Sequence, residues 1–238
     1  MYQTVNDLKI KIFADGADKS KMLEMAANPM ISGFTTNPTL MHQSGIKNYQ
    51  DFALDILGSI DKPISFEVFS DDFQTMQQQA LKIASWGDNV YVKIPVTNTL
   101  REPAYALIRE LAAAGVKQNV TAIMTLEQIQ AVVDALAKGP AANISVFAGR
   151  IADTGRDPLP IMQATVKLLK SHPHLELIWA SPRELLNIFQ ADNIGCHIIT
   201  VTNDLIKKLA LVGKDLDIYS LETVKMFYQD ALLAGFSL

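Results

Sequence analysis

A single cysteine, Cys196, excludes a disulfide framework and a four-thiolate metal site within one chain. The four histidines (His42, His172, His174 and His197) match no His-Glu-x-x-His or comparable metal spacing, and His172-Pro-His174 reads as an exposed turn. Neither a Gly-x-Gly-x-x-Gly nor a Walker pattern occurs, which disfavours a nucleotide cofactor. Basic charge is not in excess: a net charge of −4 leaves no footprint for nucleic acid, so any phosphate site must be local. Eighteen consecutive apolar residues are found nowhere, and residues 1–9 lack the apolar core of a signal peptide. Linkers, charge blocks and low-complexity tracts are also missing. Together these absences predict a cytoplasmic protein with no metal, no cofactor, no membrane span and no nucleic-acid partner.

What is present is core. Hydrophobic residues make up 49% of 238 and charged residues 19%, enough for one large globular domain over residues 1–238. Short apolar runs alternate with helix-like segments from one end to the other. Strands are expected at residues 9–14, 31–35, 64–68, 90–94, 116–121, 143–147, 175–180 and 195–200. Eight runs in strict alternation predict an α/β fold, a (β/α)8 barrel. Helix starts are legible as well. Asp18 is placed to cap a helix over 19–27, Thr125 with Gln128 forms a capping-box pattern, and Asp157-Pro158 supplies a cap and a first-turn proline. A last helical segment, within an arm over 221–238, lies beyond what the barrel needs, and its apolar positions predict a partner surface.

The chemistry centres on Asn89-Val-Tyr-Val-Lys-Ile-Pro-Val-Thr-Asn98, a β-branched run with Lys93 in its middle. Inside a parallel strand such a lysine is buried, and an ammonium without a partner is driven toward the neutral, nucleophilic amine that forms Schiff bases. The plainer alternative is a strand-end lysine that reaches solvent. In a barrel of this kind the active site is built where the strands end. Those ends read Asp15, Thr35-Thr36-Asn37, Glu67, Lys93, Asn119-Val-Thr121, Ser145 to Arg150, and Ser181-Pro182-Arg183. Each residue alone has a turn or capping role available: Asn37-Pro38 as a turn initiator, Ser181-Pro-Arg-Glu184 as a capped helix start. A helix start at Ser181 would also offer amides to a phosphate, with Arg183 and Arg150 beside it.

These motifs resemble one family. Phe13-Ala-Asp15, Gly33-Phe-Thr-Thr-Asn37-Pro, Ile64-Ser-Phe-Glu67, Val92-Lys93-Ile-Pro-Val-Thr, Asn119-Val-Thr121, Ser145-Val-Phe147-Ala-Gly-Arg150 and Ala180-Ser181-Pro-Arg183 are similar to the transaldolase family of class I aldolases. In length the chain resembles the small subfamily that includes fructose-6-phosphate aldolase. That aldolase carries a glutamine on strand three and a tyrosine on strand six, whereas Glu67 and Phe147 stand here, as in transaldolases. Gly16 after the aspartate and Pro182 between Ser181 and Arg183 depart from the family pattern without removing a functional group.

The resemblance implies a pentose phosphate pathway transferase. It would move a dihydroxyacetone unit from sedoheptulose 7-phosphate to glyceraldehyde 3-phosphate, giving erythrose 4-phosphate and fructose 6-phosphate, through a Schiff base on Lys93. Glu67 and Thr121 would handle protons during imine formation, and Asp15 would take and return the C4 hydroxyl proton. Asn37, Asn119 and Ser145 would hold substrate hydroxyls, Phe147 would line the site, and Arg150, Ser181 and Arg183 would hold the phosphate. No metal is implied, and small relatives form homo-oligomeric rings of five or ten subunits. Two alternatives are a fructose-6-phosphate aldolase releasing free dihydroxyacetone and a sugar-phosphate-binding barrel without catalysis.

Overall fold

The computed structural model describes residues 4–237. Eight parallel strands close into a barrel in chain order: β1 Lys11–Asp15, β2 Ile31–Thr35, β3 Ile64–Glu67, β4 Val90–Pro95, β5 Gln118–Ile123, β6 Ala142–Val146, β7 Leu175–Trp179 and β8 Ile198–Thr202. The helices are α1 Lys19–Ala27, α2 Pro38–Gln43, α3 Tyr49–Leu57, α4 Phe73–Ala84, α5 Tyr105–Ala113, α6 Leu126–Leu136, α7 Ala148–Asp153, α8 Leu159–Leu169, α9 Leu186–Asn193, α10 Asn203–Lys207 and α11 Leu216–Ala234. This is the expected (β/α)8 barrel with an additional C-terminal helix.

Side chains alternate between the two faces of each strand. On β4, Val90, Val92 and Ile94 belong to the large apolar cluster between sheet and helices, which leaves Tyr91 and Lys93 for the barrel interior. The same alternation turns Asp15, Thr35, Ser65, Glu67, Asn119, Ser145 and Thr200 inward. The interior is therefore largely polar. Its apolar part is a separate small cluster of Phe13, Ile178, Ala180 and Ile198, with Phe147 packed against it. Gly33 on β2 makes room for this cluster, because a Cβ there would stand 2.5 Å from the Phe13 ring.

The expected caps at Asp18 and Thr125 are present: Asp18 accepts from the Lys21 amide, and Thr125 with Gln128 forms the full capping box. Pro158 precedes α8, with Asp157 Oδ1 accepting from Leu159 N at 2.9 Å. Four local expectations need correction. Asn37-Pro38 does not merely turn the chain; Asn37 caps α2, accepting from Leu40 N at 2.9 Å. Strands five and eight begin two to three residues later than their apolar runs suggest. Val116 and Cys196 follow left-handed Gly115 and Gly195, and their amides bond back to Leu111 and Ala191, so both close a helix instead of opening a strand. Strand six stops at Val146, and Arg150 lies on α7.

The fourth correction concerns Ser181, which caps no helix. It has φ 61°, and α9 begins at Leu186. Asn187 Oδ1 instead accepts from the amides of Arg183 (2.8 Å) and Glu184 (3.2 Å). The turn is shaped by a close backbone approach: a Cβ on Gly149 would stand 1.5 Å from the Ser181 carbonyl oxygen, so only glycine fits at the start of α7.

The helix α11 differs from the rest. It is capped by Asp215 and ends in left-handed Gly235, yet it buries none of its residues. Leu221, Val224, Phe227, Tyr228 and Leu233 are all more than half exposed. Among the described residues no helix is long and apolar enough to cross a membrane.

Candidate active site

Lys93 is 7% exposed, and its amine meets two acceptors. Nζ lies 3.2 Å from Glu67 Oε2 and donates to the Thr36 carbonyl oxygen at 3.1 Å. The sequence reading of an amine without a partner is therefore corrected: a carboxylate from the next strand stands beside it. The pairing follows from register, since Glu67 and Lys93 are Cα partners on β3 and β4.

Asp15 ends β1 deep in the same mouth. Its Oδ1 accepts from Thr35 Oγ1 at 2.7 Å, and Thr35 Oγ1 is in turn hydrogen-bonded to Thr200 Oγ1. Burial pushes the Asp15 carboxyl above the usual carboxylate range, while the Lys93 charge and the Thr35 hydroxyl oppose that rise. Asp15 is thus biased toward holding a proton.

Thr121 lies on β5, level with Pro95 on β4. It is buried, and its Oγ1 has no hydrogen-bond partner among the described residues. A bulge follows at once: the β5–β6 register shifts between Val120 and Ile123, and Ala122 has φ 62°. Asn119 and Ser145 are buried in a chain in which Ser145 Oγ donates to Asn119 Oδ1 (2.7 Å) and Asn119 Nδ2 donates to Ser65 Oγ (3.0 Å). Asn37 sits at the rim, partly buried, with its Oδ1 committed to the α2 cap.

The cationic end is built by β6, β7 and α7. Arg183 forks onto Asp153, with Nε donating to Oδ1 at 2.8 Å and Nη2 to Oδ2. Its Nη1 donates to Ser181 Oγ at 3.0 Å. The Arg183 hydrogen bond holds the Asp153 carboxyl below the usual range. Arg150 is exposed and lies 5.8 Å over the Phe147 ring.

The eleven residues expected from the sequence thus fall into two groups. Glu67 contacts the Lys93 amine and Asp15 feels its charge, while Asn119, the register partner of Lys93, carries the bonded Ser145 and Thr121 lies two residues further along β5. Phe147, Arg150, Ser181 and Arg183 lie together on the opposite arc, and Asn37 stands at the edge. Thr35 was read as part of the strand-two end but given no role, and Thr200, Ser65 and Asp153 were not singled out. Ser65 was findable as the residue two before Glu67 on one strand face, and Asp153 as the residue one helical turn beyond Arg150. Among the described residues no three His, Cys, Asp or Glu side chains form a group able to hold a metal ion.

A family model described as Transaldolase/Fructose-6-phosphate aldolase matches residues 12–234. A "Probable transaldolase 2" from Listeria monocytogenes is 33% identical over 202 residues, 84% of this chain and 88% of that protein. A "Probable transaldolase" from a Thermoanaerobacter species is 34% identical over 193 residues, 81% and 85% of the two chains. The solved structure of KGPDC from Streptococcus mutans superposes with a TM-score of 0.57 over 82% of this chain and 88% of its own, at 10% identity. That last likeness is one of fold alone.

Proposed function

This chain belongs to the transaldolase/fructose-6-phosphate aldolase family, and from that premise we propose that it transfers a dihydroxyacetone unit from a ketose phosphate to an aldose phosphate. The observation that carries this reading is the buried Lys93 amine beside the Glu67 carboxylate, with Asp15 in the same mouth.

The amine adds to the ketose carbonyl, and the resulting carbinolamine loses its hydroxyl as water to leave an iminium. Glu67 accepts and returns the protons of these steps, and the uncommitted Thr121 hydroxyl orients the water. Asp15 takes the C4 hydroxyl proton as the C3–C4 bond breaks. The bonding electrons pass to the iminium, giving an enamine on Lys93 and a free aldehyde. An incoming aldehyde is attacked by the enamine, Asp15 returns its proton to the new hydroxyl, and water hydrolyses the imine. A carboxyl that burial has pushed upward is suited to a proton that must be given back.

Asn119, Ser145 and Asn37 hold the retained hydroxyls. Arg150, Ser181 Oγ and the edge of Arg183 left open by Asp153 hold the phosphate. Sedoheptulose 7-phosphate and fructose 6-phosphate are the proposed donors, in the pentose phosphate pathway. A second copy of the chain covers the apolar surface of α11, so the working form is a homo-oligomer.

Incubation with fructose 6-phosphate and borohydride, followed by peptide mapping, tests the central claim. A reduced adduct on the peptide containing Lys93 supports it, and an adduct confined to another lysine overturns it.

A further inference from the structure

The β2–β3 ladder is interrupted at the height of the Lys93 amine. Thr36 N donates to Ser65 O at 3.1 Å, so the next bond of a parallel ladder would run from Glu67 N to the Thr36 carbonyl. That bond is not made. Glu67 N donates instead to the Tyr49 phenol oxygen at 2.8 Å, and the same phenol donates to the Glu67 carbonyl oxygen at 2.7 Å. One hydroxyl thereby satisfies both backbone groups of Glu67, using its single proton and one of its lone pairs. The Thr36 carbonyl, released from the ladder, accepts from Lys93 Nζ.

Tyr49 reaches this position from α3, and its ring is fixed by neighbours. Phe69, Trp86 and Phe66 have centroids 5.4, 6.0 and 6.4 Å away, and Trp86 also packs on Phe66. Burial pushes the phenol pKa upward, so the hydroxyl remains a donor across the physiological range.

Resting on the function proposed above, we infer that Tyr49 is a positioning residue for imine formation: by replacing a strand bond at Glu67 it sets both acceptors of the Lys93 amine, the Glu67 carboxylate and the Thr36 carbonyl. Without the hydroxyl, the Glu67 amide takes back the Thr36 carbonyl, the ladder closes by one more bond, and the amine loses an acceptor while Glu67 shifts with its backbone.

The test compares wild type, Tyr49→Phe, and a variant with 4-fluorophenylalanine at position 49, which fills the volume of the hydroxyl but cannot donate. Trp86→Phe is the packing control, since it disturbs the same aromatic cluster and leaves the phenol in place. The expected result is borohydride trapping at Lys93 slowed about tenfold or more in both position-49 variants, the scale of a small misplacement of reacting groups. The loss should fall on kcat, with KM for the phosphorylated donor unchanged, and Trp86→Phe should trap at close to the wild-type rate. Should Tyr49→Phe fail to fold, the fluorinated variant carries the comparison. Trapping at the wild-type rate in a folded position-49 variant overturns the inference, as does an equal loss in Trp86→Phe. Wild-type protein that forms no adduct at Lys93 would instead sink the proposed function itself.

Discussion

Glu67 Oε2 and Lys93 Nζ lie 3.2 Å apart across paired strands, with side chains only 15% and 9% exposed. In the proposed mechanism a carboxylate so placed exchanges protons with the amine and with the carbinolamine that the amine forms. Glu67→Gln keeps the shape and removes the base, so the rate of adduct formation on Lys93 should fall by about a hundredfold or more, as for loss of a positioned acid–base group. Rapid-quench trapping with borohydride measures this directly. A Glu67→Gln enzyme that traps at the wild-type rate would remove Glu67 from the mechanism.

The Asp15 carboxyl is raised by burial, and that has a stability consequence. A carboxyl whose folded-state pKa lies above its unfolded value holds its proton more tightly in the folded protein. Relative stability is therefore greatest at acid pH and is lost as pH rises from the unfolded value, about 3.9, through the folded one. Asp15→Asn retains the acceptor for Thr35 and removes the titration. Its melting temperature should exceed that of the wild type near neutral pH, and the difference should vanish below the unfolded carboxyl pKa, while transfer activity is lost. Equal melting temperatures at neutral pH would mean that the mouth solvates Asp15 fully.

Much of this was legible because barrel chemistry gathers at strand ends, and strand ends can be read from where an apolar run stops. Asp15, Glu67 and Thr121 were accessible in that way, and Lys93 as the one charged residue inside an apolar run. Thr200 ended the run read at 195–200 but was not counted among the polar strand ends; the start of that run misled, because Gly195 closes a helix and β8 spans Ile198–Thr202. The Ser181 turn misled for a related reason. Ser-Pro-Arg-Glu has the composition of a capped helix, but the contact between Gly149 and the Ser181 carbonyl holds the serine left-handed, and that contact joins residues far apart in sequence. Tyr49 carried no signal at all: a tyrosine at a helix start is ordinary, and its two bonds to Glu67 exist only once the barrel has closed.

The nineteen residues of α11 bury nothing, although Leu216 is 77% and Leu233 80% exposed. Apolar surface on that scale on an otherwise packed chain needs a cover. Truncation before Leu216 should leave a folded barrel and convert a larger assembly into smaller species in sedimentation velocity. Identical sedimentation behaviour of full-length and truncated protein, scaled for mass, would show that α11 mediates no self-association.

The proposed choice of transfer over cleavage rests on Phe147. Its ring packs on the cluster of Phe13, Ile178, Ala180 and Ile198, with Arg150 over one face. Phenylalanine offers no hydrogen-bond donor, so nothing at this position protonates the enamine carbon or aims a water at it. On the proposed mechanism the enamine on Lys93 should then persist until an aldehyde arrives. Fructose 6-phosphate alone should release dihydroxyacetone slowly, and erythrose 4-phosphate should raise turnover by about two orders of magnitude or more, the range spanned by a positioned proton donor. Phe147→Tyr puts a hydroxyl at the rim of the same apolar cluster, and free dihydroxyacetone should then appear at the expense of transfer. Both arms are read by coupled assay of dihydroxyacetone and of the transfer product. Wild-type release of dihydroxyacetone as fast without acceptor as transfer with one would replace the transferase reading with that of an aldolase. An unaltered product ratio in Phe147→Tyr would show that the partition is set elsewhere, and Glu67, which lies beside the amine, would be the next position to exchange.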